Sequence, residues 1–231
     1  MKFDEFIVKN KINLSDETVR MCEAGIEISR KSVSPLYDER HTFGILGNLD
    51  KLLKESGEIE KTKINLNVLL LAVCWHDVWK TKRFPLNILS LILNQAREGV
   101  GSMGMFSNVA EAFGLDPATA KKTKYAIRKH SSLQIFPLKS VESKILKDMD
   151  GLEEWSLDRL RPLRENYMLL GVMDMKFVKL VMFYFDNFMV KDTAKPFYFK
   201  WSKNEFERRK KIFLEEARKV FEEYAPYLKK K

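Results

Sequence analysis

Residues 66–80 read LNVLLLAVCWHDVWK, and the fold turns on how this stretch is read. From Leu66 to Trp75 only Asn67 is polar. A run this long without glycine, proline or strict alternation predicts a helix buried on every side, continuing to Lys80. It ends in His76 and Asp77. An ionised aspartate there is costly unless it coordinates a metal or meets a positive partner, so the dipeptide points to metal ligation. Adjacent helical residues diverge by about 100°, so both reach one ion only if it lies over the groove between them. Further ligands must then come from other helices.

Outward from this segment, apolar residues recur at three- and four-residue spacing and strand signals are sparse. The fold class is all-α, with roughly eight to eleven helices around one connected core. Ser15 caps a helix running to about Ser29 before the Ser34-Pro35 break, and a second helix from Asp38 to Glu55 carries His41. After Leu66–Lys80, Pro85 opens the helix NILSLILNQARE, and the glycines of GVGSMG, residues 99–104, predict a loop. Asp116-Pro117 starts a helix with His130 near its end. Pro137 separates it from SVESKILKDMDGLEEW, which aligns Ile145, Asp148, Leu152 and Trp155, with Asp150 on an adjoining face. The aromatic stretch KPFYFKW precedes a last helix whose apolar stripe includes Phe206, Phe213, Leu214, Ala217, Val220, Phe221 and Tyr224. No internal repeat is visible.

The 231 residues are 45% apolar and 12% aromatic, which argues against disorder. A formal net charge of +9 suits an acidic or phosphorylated partner. The charged face of the last helix reads as a solvated surface in preference to a nucleic-acid contact. Two cysteines, Cys22 and Cys74, exclude a disulfide framework and a CxxC metal or redox site. A reducing cytosol is expected, since the N-terminal stretch carries Asp4 and Glu5 and has no secretory core. Residues 175–190, MKFVKLVMFYFDNFMV, are too short and too charged to span a bilayer and read as a buried helix. No membrane partner is expected.

The chain has three histidines, His41, His76 and His130. A lone histidine on a helix is most often a core or surface residue, but here the order is informative. ERHTFGIL offers His41, LLLAVCWHDVWK offers His76 and Asp77, and ESKILKDMDGLEEW follows with two aspartates. This pattern resembles the HD-domain superfamily of metal-dependent phosphohydrolases, in which a histidine, a later His-Asp pair and a still later aspartate serve one metal. The resemblance covers residues 36–160. It implies an HD-like helical core, preceded by an N-terminal helical segment (1–35) and followed by a C-terminal helical extension (161–231), all in one compact domain.

Asp148 and Asp150 point about 200° apart on a helix, so only one can be a ligand. In the family's D-x-D-x-L form the second is usual, which implies Asp150. Asp148 is then structural or placed beside the ligands, where it could orient an attacking water. Lys80 matches the family's H-D-x-x-K spacing, with Trp79 where glycine is frequent. The resemblance implies a cation facing phosphate oxygens; the alternative is a lysine that complements a helix end. His130 resembles a further family histidine that could bind a second metal, contact phosphate, protonate a leaving group, or be structural. Arg40 and Arg128 are secondary candidates for phosphate contact. Many members have another histidine between Asp77 and His130. Here only Asn94, Gln95 and Glu98 stand nearby, and Glu98 alone suits a hard cation. A single-metal site is expected, with Cys74 as packing.

The resemblance implies a metal-dependent phosphohydrolase acting on a phosphomonoester or phosphoanhydride, a nucleotide or a related small molecule. One divalent ion (Mn²⁺, Mg²⁺, Fe²⁺, Co²⁺ or Ni²⁺) would be held by His41, His76, Asp77 and Asp150. Two other readings stay open. One is a protein that keeps the metal and binds nucleotide or nucleic acid without turnover, which the charge and the KPFYFKW aromatics permit. The other, less favoured, is an oxygenase on the same helical core.

Overall fold

The computed structural model describes residues 1–60, 63–82, 88–130, 137–169 and 197–222, with side chains described at 1–60, 63–82, 97–130, 137–165 and 197–220. Among the described residues there are nine α-helices and no strand, as the spacing predicts: α1 (Phe3–Asn10), α2 (Asp16–Arg30), α3 (Glu39–Glu55), α4 (Leu66–Trp75), α5 (Ile88–Ala112), α6 (Pro117–Lys129), α7 (Val141–Glu154), α8 (Leu160–Leu169) and α9 (Lys200–Glu222). Five of the starts are set by side-chain caps. Ser15, Asp38, Asn65, Asp116 and Ser140 each accept a backbone N–H from the first turn that follows, each cap contributing about 1 kcal/mol. The helix expected within 175–190 lies outside the described residues. Among those described, no helix is long and apolar enough to cross a membrane.

Helix α4 is the centre of the molecule. Every side chain from Val68 to Trp75 is buried, because α2, α6 and α7 surround it. Each of these large apolar side chains contributes about 1.5–3 kcal/mol by leaving water. Its approach to α2 is close: a Cβ on Gly25 would lie 2.6 Å from the Cys74 carbonyl oxygen, and the Trp75 indole donates to the Met21 carbonyl at 2.8 Å. One cluster of buried apolar side chains extends from Phe3 and Phe6 of α1 to Phe213 and Ala217 of α9.

Two expectations are corrected. The predicted helix through Lys80 ends at Trp75, with His76 as its C-cap, followed by a 3-10 turn at Lys80–Lys82. A continued helix would give the Trp79 N–H to the Trp75 carbonyl; instead it donates to the Ser102 hydroxyl of α5 at 3.1 Å. The predicted loop at GVGSMG is the middle of α5, a helix of 25 residues. Two of its three glycines answer to packing. A Cβ on Gly99 would lie 2.6 Å from the Arg128 carbonyl oxygen, and one on Gly101 would overlap the Trp79 ring.

The C-terminal helix docks by its stripe and by its start. Phe206, Phe213 and Ala217 are buried, and Trp155 meets Phe206 and Phe213 with ring centroids 5.1 and 5.3 Å away. Phe221 and Tyr224 lie outside the described side chains. At the start of α9, Asp148 accepts the N–H groups of Tyr198 and Phe199 at 3.0 and 3.1 Å. Glu58 accepts those of Lys200 and Trp201 at 2.9 and 2.8 Å. Two carboxylates from elsewhere in the fold thus serve the N–H groups and positive dipole end that a helix start leaves open.

Candidate metal centre

Three parts of the fold converge beside α4. His41 lies in the first turn of α3, His76 and Asp77 follow the end of α4, and Asp150 lies in the second half of α7. His41 and His76 are 3% and 1% exposed and Asp77 7%. His41 Nε2 lies 3.0 Å from His76 Nε2, 3.4 Å from Asp77 Oδ2 and 3.4 Å from Asp150 Oδ1. His76 Nε2 lies 3.6 and 3.8 Å from the same two oxygens. Donors about 2.1 Å from an ion stand roughly 3.0 Å apart at adjacent octahedral corners and roughly 3.4 Å apart at tetrahedral ones, so the two nitrogens with either oxygen have close to the spacing of one coordination sphere.

The remaining ring nitrogens are held from behind. His76 Nδ1 is 2.8 Å from the Val73 carbonyl and His130 Nδ1 is 2.5 Å from the Ile127 carbonyl. A carbonyl only accepts, so each Nδ1 carries the proton and each Nε2 is left to face the centre. His41 Nδ1 lies 2.6 Å from Glu153 Oε2, and Arg159 pairs with that same oxygen at 3.3 Å. A carboxylate behind a ligating imidazole fixes its orientation and raises its basicity.

Asp77 faces two ways. Its Oδ2 belongs to the group above, whereas Oδ1 lies 3.0 Å from Lys80 Nζ and 3.2 Å from His130 Nε2. Lys80 also pairs with Glu98 Oε2 at 2.8 Å, and its ammonium lies 4.2 Å from the centre of the Tyr37 ring. Lys147 of α7 donates to the His130 carbonyl at 2.8 Å and ties the end of α6 to α7. Among the described residues, four carboxylates (Asp77, Glu98, Asp150 and Glu153) meet two cationic side chains (Lys80 and Arg159). Two carboxylates thus exceed the fixed cations, and without an ion it is the raised His41 and His130 imidazoles that face them. The donor set therefore fits a metal ion: His41, His76 and Asp77 form a buried group of ligand-type atoms, and the half-buried Asp150 brings Oδ1 to 3.4 and 3.8 Å of the two imidazole nitrogens.

The electrostatics agree. Burial pushes the His76 imidazole down to about 4, with Asp77 and Asp150 opposing it. Burial would also lower His41, but the carboxylates of Glu153, Asp150 and Asp77 raise it well above the usual histidine range. Asp77 is held well below the carboxylate range against its burial, chiefly by Lys80 and the histidines. Asp150 is lowered against its burial by His41 and His76. Negative charge is thus kept on both aspartates.

His41, His76, Asp77 and Asp150 come together, and His130 and Lys80 stand beside them. Asp148 does not join them: its carboxylate is engaged at the start of α9, and burial raises it to about 6 while the Tyr198 and Phe199 N–H bonds pull the other way. The expected water-orienting role for Asp148 is therefore replaced by a structural one. Lys80 faces two carboxylates and an aromatic ring, not an open phosphate position. Arg128 is exposed, and Arg40 pairs with Asp38 at 2.6 Å. Asn94 and Gln95 lie outside the described side chains. Sequence reasoning missed Glu153, Arg159 and Tyr37. Glu153 could have been found, since it follows Asp150 by three residues and shares its helix face; Tyr37 and Arg159 carry no such signal.

A cavity of about 650 Å³ reaches His41 from its Glu153 side and is lined also by Arg40, Lys51, Arg159 and Arg208. Compared with known proteins, the chain matches no family model, no curated protein and no solved structure.

Proposed function

We propose that the chain is a metal-dependent phosphohydrolase that acts on a phosphomonoester or phosphoanhydride of nucleotide type through one divalent ion held by His41, His76, Asp77 and Asp150. The observation that carries this reading is the approach of Asp77 Oδ2 and Asp150 Oδ1 to within 3.4–3.8 Å of both His41 Nε2 and His76 Nε2, which are 3.0 Å apart. The H…HD…D order, which resembles the HD-domain superfamily, supports it. An ion there would lower the pKa of a water and neutralise phosphate charge. Glu153 orients His41. His130, whose pKa is raised against its burial by Asp77 and Glu98, holds a proton at Nε2 for a leaving oxygen. The cavity is lined by five basic side chains (Arg40, Lys51, Arg159, Arg208 and Arg209) against three acidic ones (Asp38, Glu153 and Asp158), a balance that favours an anionic ligand.

The test is a panel of nucleotides and simple phosphomonoesters with Mn²⁺, scored for phosphate or pyrophosphate release. Release by the wild type, abolished together with metal retention in Asp77→Ala and Asp150→Ala, is the expected result. Metal retention without release from any substrate would favour the binding protein instead, and a chain that retains no metal would end both readings.

A further inference from the structure

The second set of ligand-type side chains lies around the far oxygen of Asp77. Asp77, Glu98 and His130 offer donor atoms within 4.8 Å of one another, all buried. His130 Nε2 lies 3.2 Å from Asp77 Oδ1 and 3.8 Å from Glu98 Oε1. This is a second cation position that shares Asp77 with the first. It already holds a cation, since the Lys80 ammonium lies 3.0 Å from Asp77 Oδ1 and 2.8 Å from Glu98 Oε2.

We propose that Lys80 is a built-in substitute for a second metal ion, occupying the position formed by Asp77, Glu98 and His130, so that the centre takes one ion and becomes a two-ion centre when the lysine charge is removed. This rests on the reading of a metal ion bound by His41, His76, Asp77 and Asp150. The local backbone delivers the side chain: the Lys80 N–H donates to the Asp77 carbonyl at 2.9 Å, folding the chain so that residues three apart pair with each other. Burial makes the arrangement exclusive. The Lys80, Asp77, Glu98 and His130 side chains are 9%, 8%, 1% and 1% exposed, so two carboxylates at this depth require a cation, and the ammonium requires them. The Tyr37 ring covers a further side of the ammonium, where the aromatic face favours positive charge. The lysine thus stands where a metal would otherwise be recruited. The lysine charge is fixed by covalent attachment and does not depend on metal supply.

The consequence is stoichiometric and is read without any activity assay. The full-length chain is reconstituted with excess Mn²⁺, desalted and analysed for metal, with circular dichroism as a check on folding. Wild type should retain one equivalent. Lys80→Met, which keeps length and removes charge, should retain two, and adding Glu98→Gln to that variant should return it to one. Lys80→Gln, which can still hydrogen-bond to both carboxylates, is the second variant should the methionine chain fail to fold, and it too should take up a second ion. A second equivalent retained by wild type would overturn the proposal while leaving the metal centre standing. One equivalent in wild type and in both lysine variants would do the same. No metal in wild type would remove this proposal together with the function on which it rests.

Discussion

Glu153 sits on the opposite side of the His41 ring from Asp77, and that placement assigns it a task. It accepts the Nδ1 proton at 2.6 Å and is itself held by Arg159 at 3.3 Å, so it aims Nε2 at the candidate metal position without lining that position itself. Glu153→Gln should therefore weaken metal affinity by roughly 10–100-fold while the chain stays folded; competition with a chelator measures it, and unchanged affinity would reduce Glu153 to a packing residue. Asp148 should behave in the opposite way. Its replacement by alanine leaves the N–H groups of Tyr198 and Phe199 unserved, at a cost of about 1–3 kcal/mol, or about 2–4 °C of Tm per kcal/mol in a chain of this size. Metal content should stay at the wild-type level. Metal loss from Asp148→Ala would show that the two aspartates had been assigned the wrong way round. The pair was legible in the sequence only as an alternative. Helical geometry demanded a choice, the family resemblance favoured Asp150, and the contacts of Asp148 give the physical reason.

Helix boundaries were legible where a capping side chain starts the helix, and not where a packing partner overrides local preference. The caps at Ser15, Asp38, Asn65, Asp116 and Ser140 are written in the residues themselves. The glycines at 99 and 101 were not legible in this way, because glycine marks a turn and a close helix contact with the same letter. Only the carbonyl of Arg128 and the ring of Trp79 decide between them. Trp79, which stands where the resemblance leads one to expect glycine, is thus matched by a glycine across the interface. Helix α1 is fastened to α3 by charge. Asp50 takes Lys9 at 2.9 Å, Lys54 at 2.7 Å and the Asn10 amide at 3.0 Å. Burial works against its charge, but Lys54, Lys9 and Asn10 hold the carboxyl at about 2, below its ordinary 3.8. A depressed carboxylate stabilises the fold above its unfolded pKa and ceases to do so as pH falls through the folded one. The Tm difference between wild type and Asp50→Asn should therefore be full near neutrality, shrink below about pH 4 and vanish near pH 2. A difference that stays constant over that range would assign the fastening to packing instead of charge.

At the scale of the molecule, an ion held by side chains from α3, α7 and the end of α4 would make folding and metal binding interdependent. A ligand that binds only the folded chain stabilises it by about 2.7 kcal/mol at a hundred times its Kd. Saturating Mn²⁺ should then raise Tm by about 5–10 °C, and a chelator should reverse it; in Asp77→Ala and Asp150→Ala the shift should disappear. A rise of equal size in those variants would mean that the ion acts elsewhere. The all-helical class, the buried α4 and the His76-Asp77 pair could be read from the chain alone, and the resemblance added His41 and Asp150. Periodicity is a property of local sequence, and a histidine-aspartate pair ending an apolar run creates an electrostatic cost that only a few partners can meet. What Lys80 faces, what stands behind His41 and where Asp148 spends its carboxylate were decided by tertiary structure. Each depends on residues far apart in the chain, such as Glu98 for Lys80, Glu153 for His41, and Tyr198 and Phe199 for Asp148, and no local spacing encodes which of them will meet.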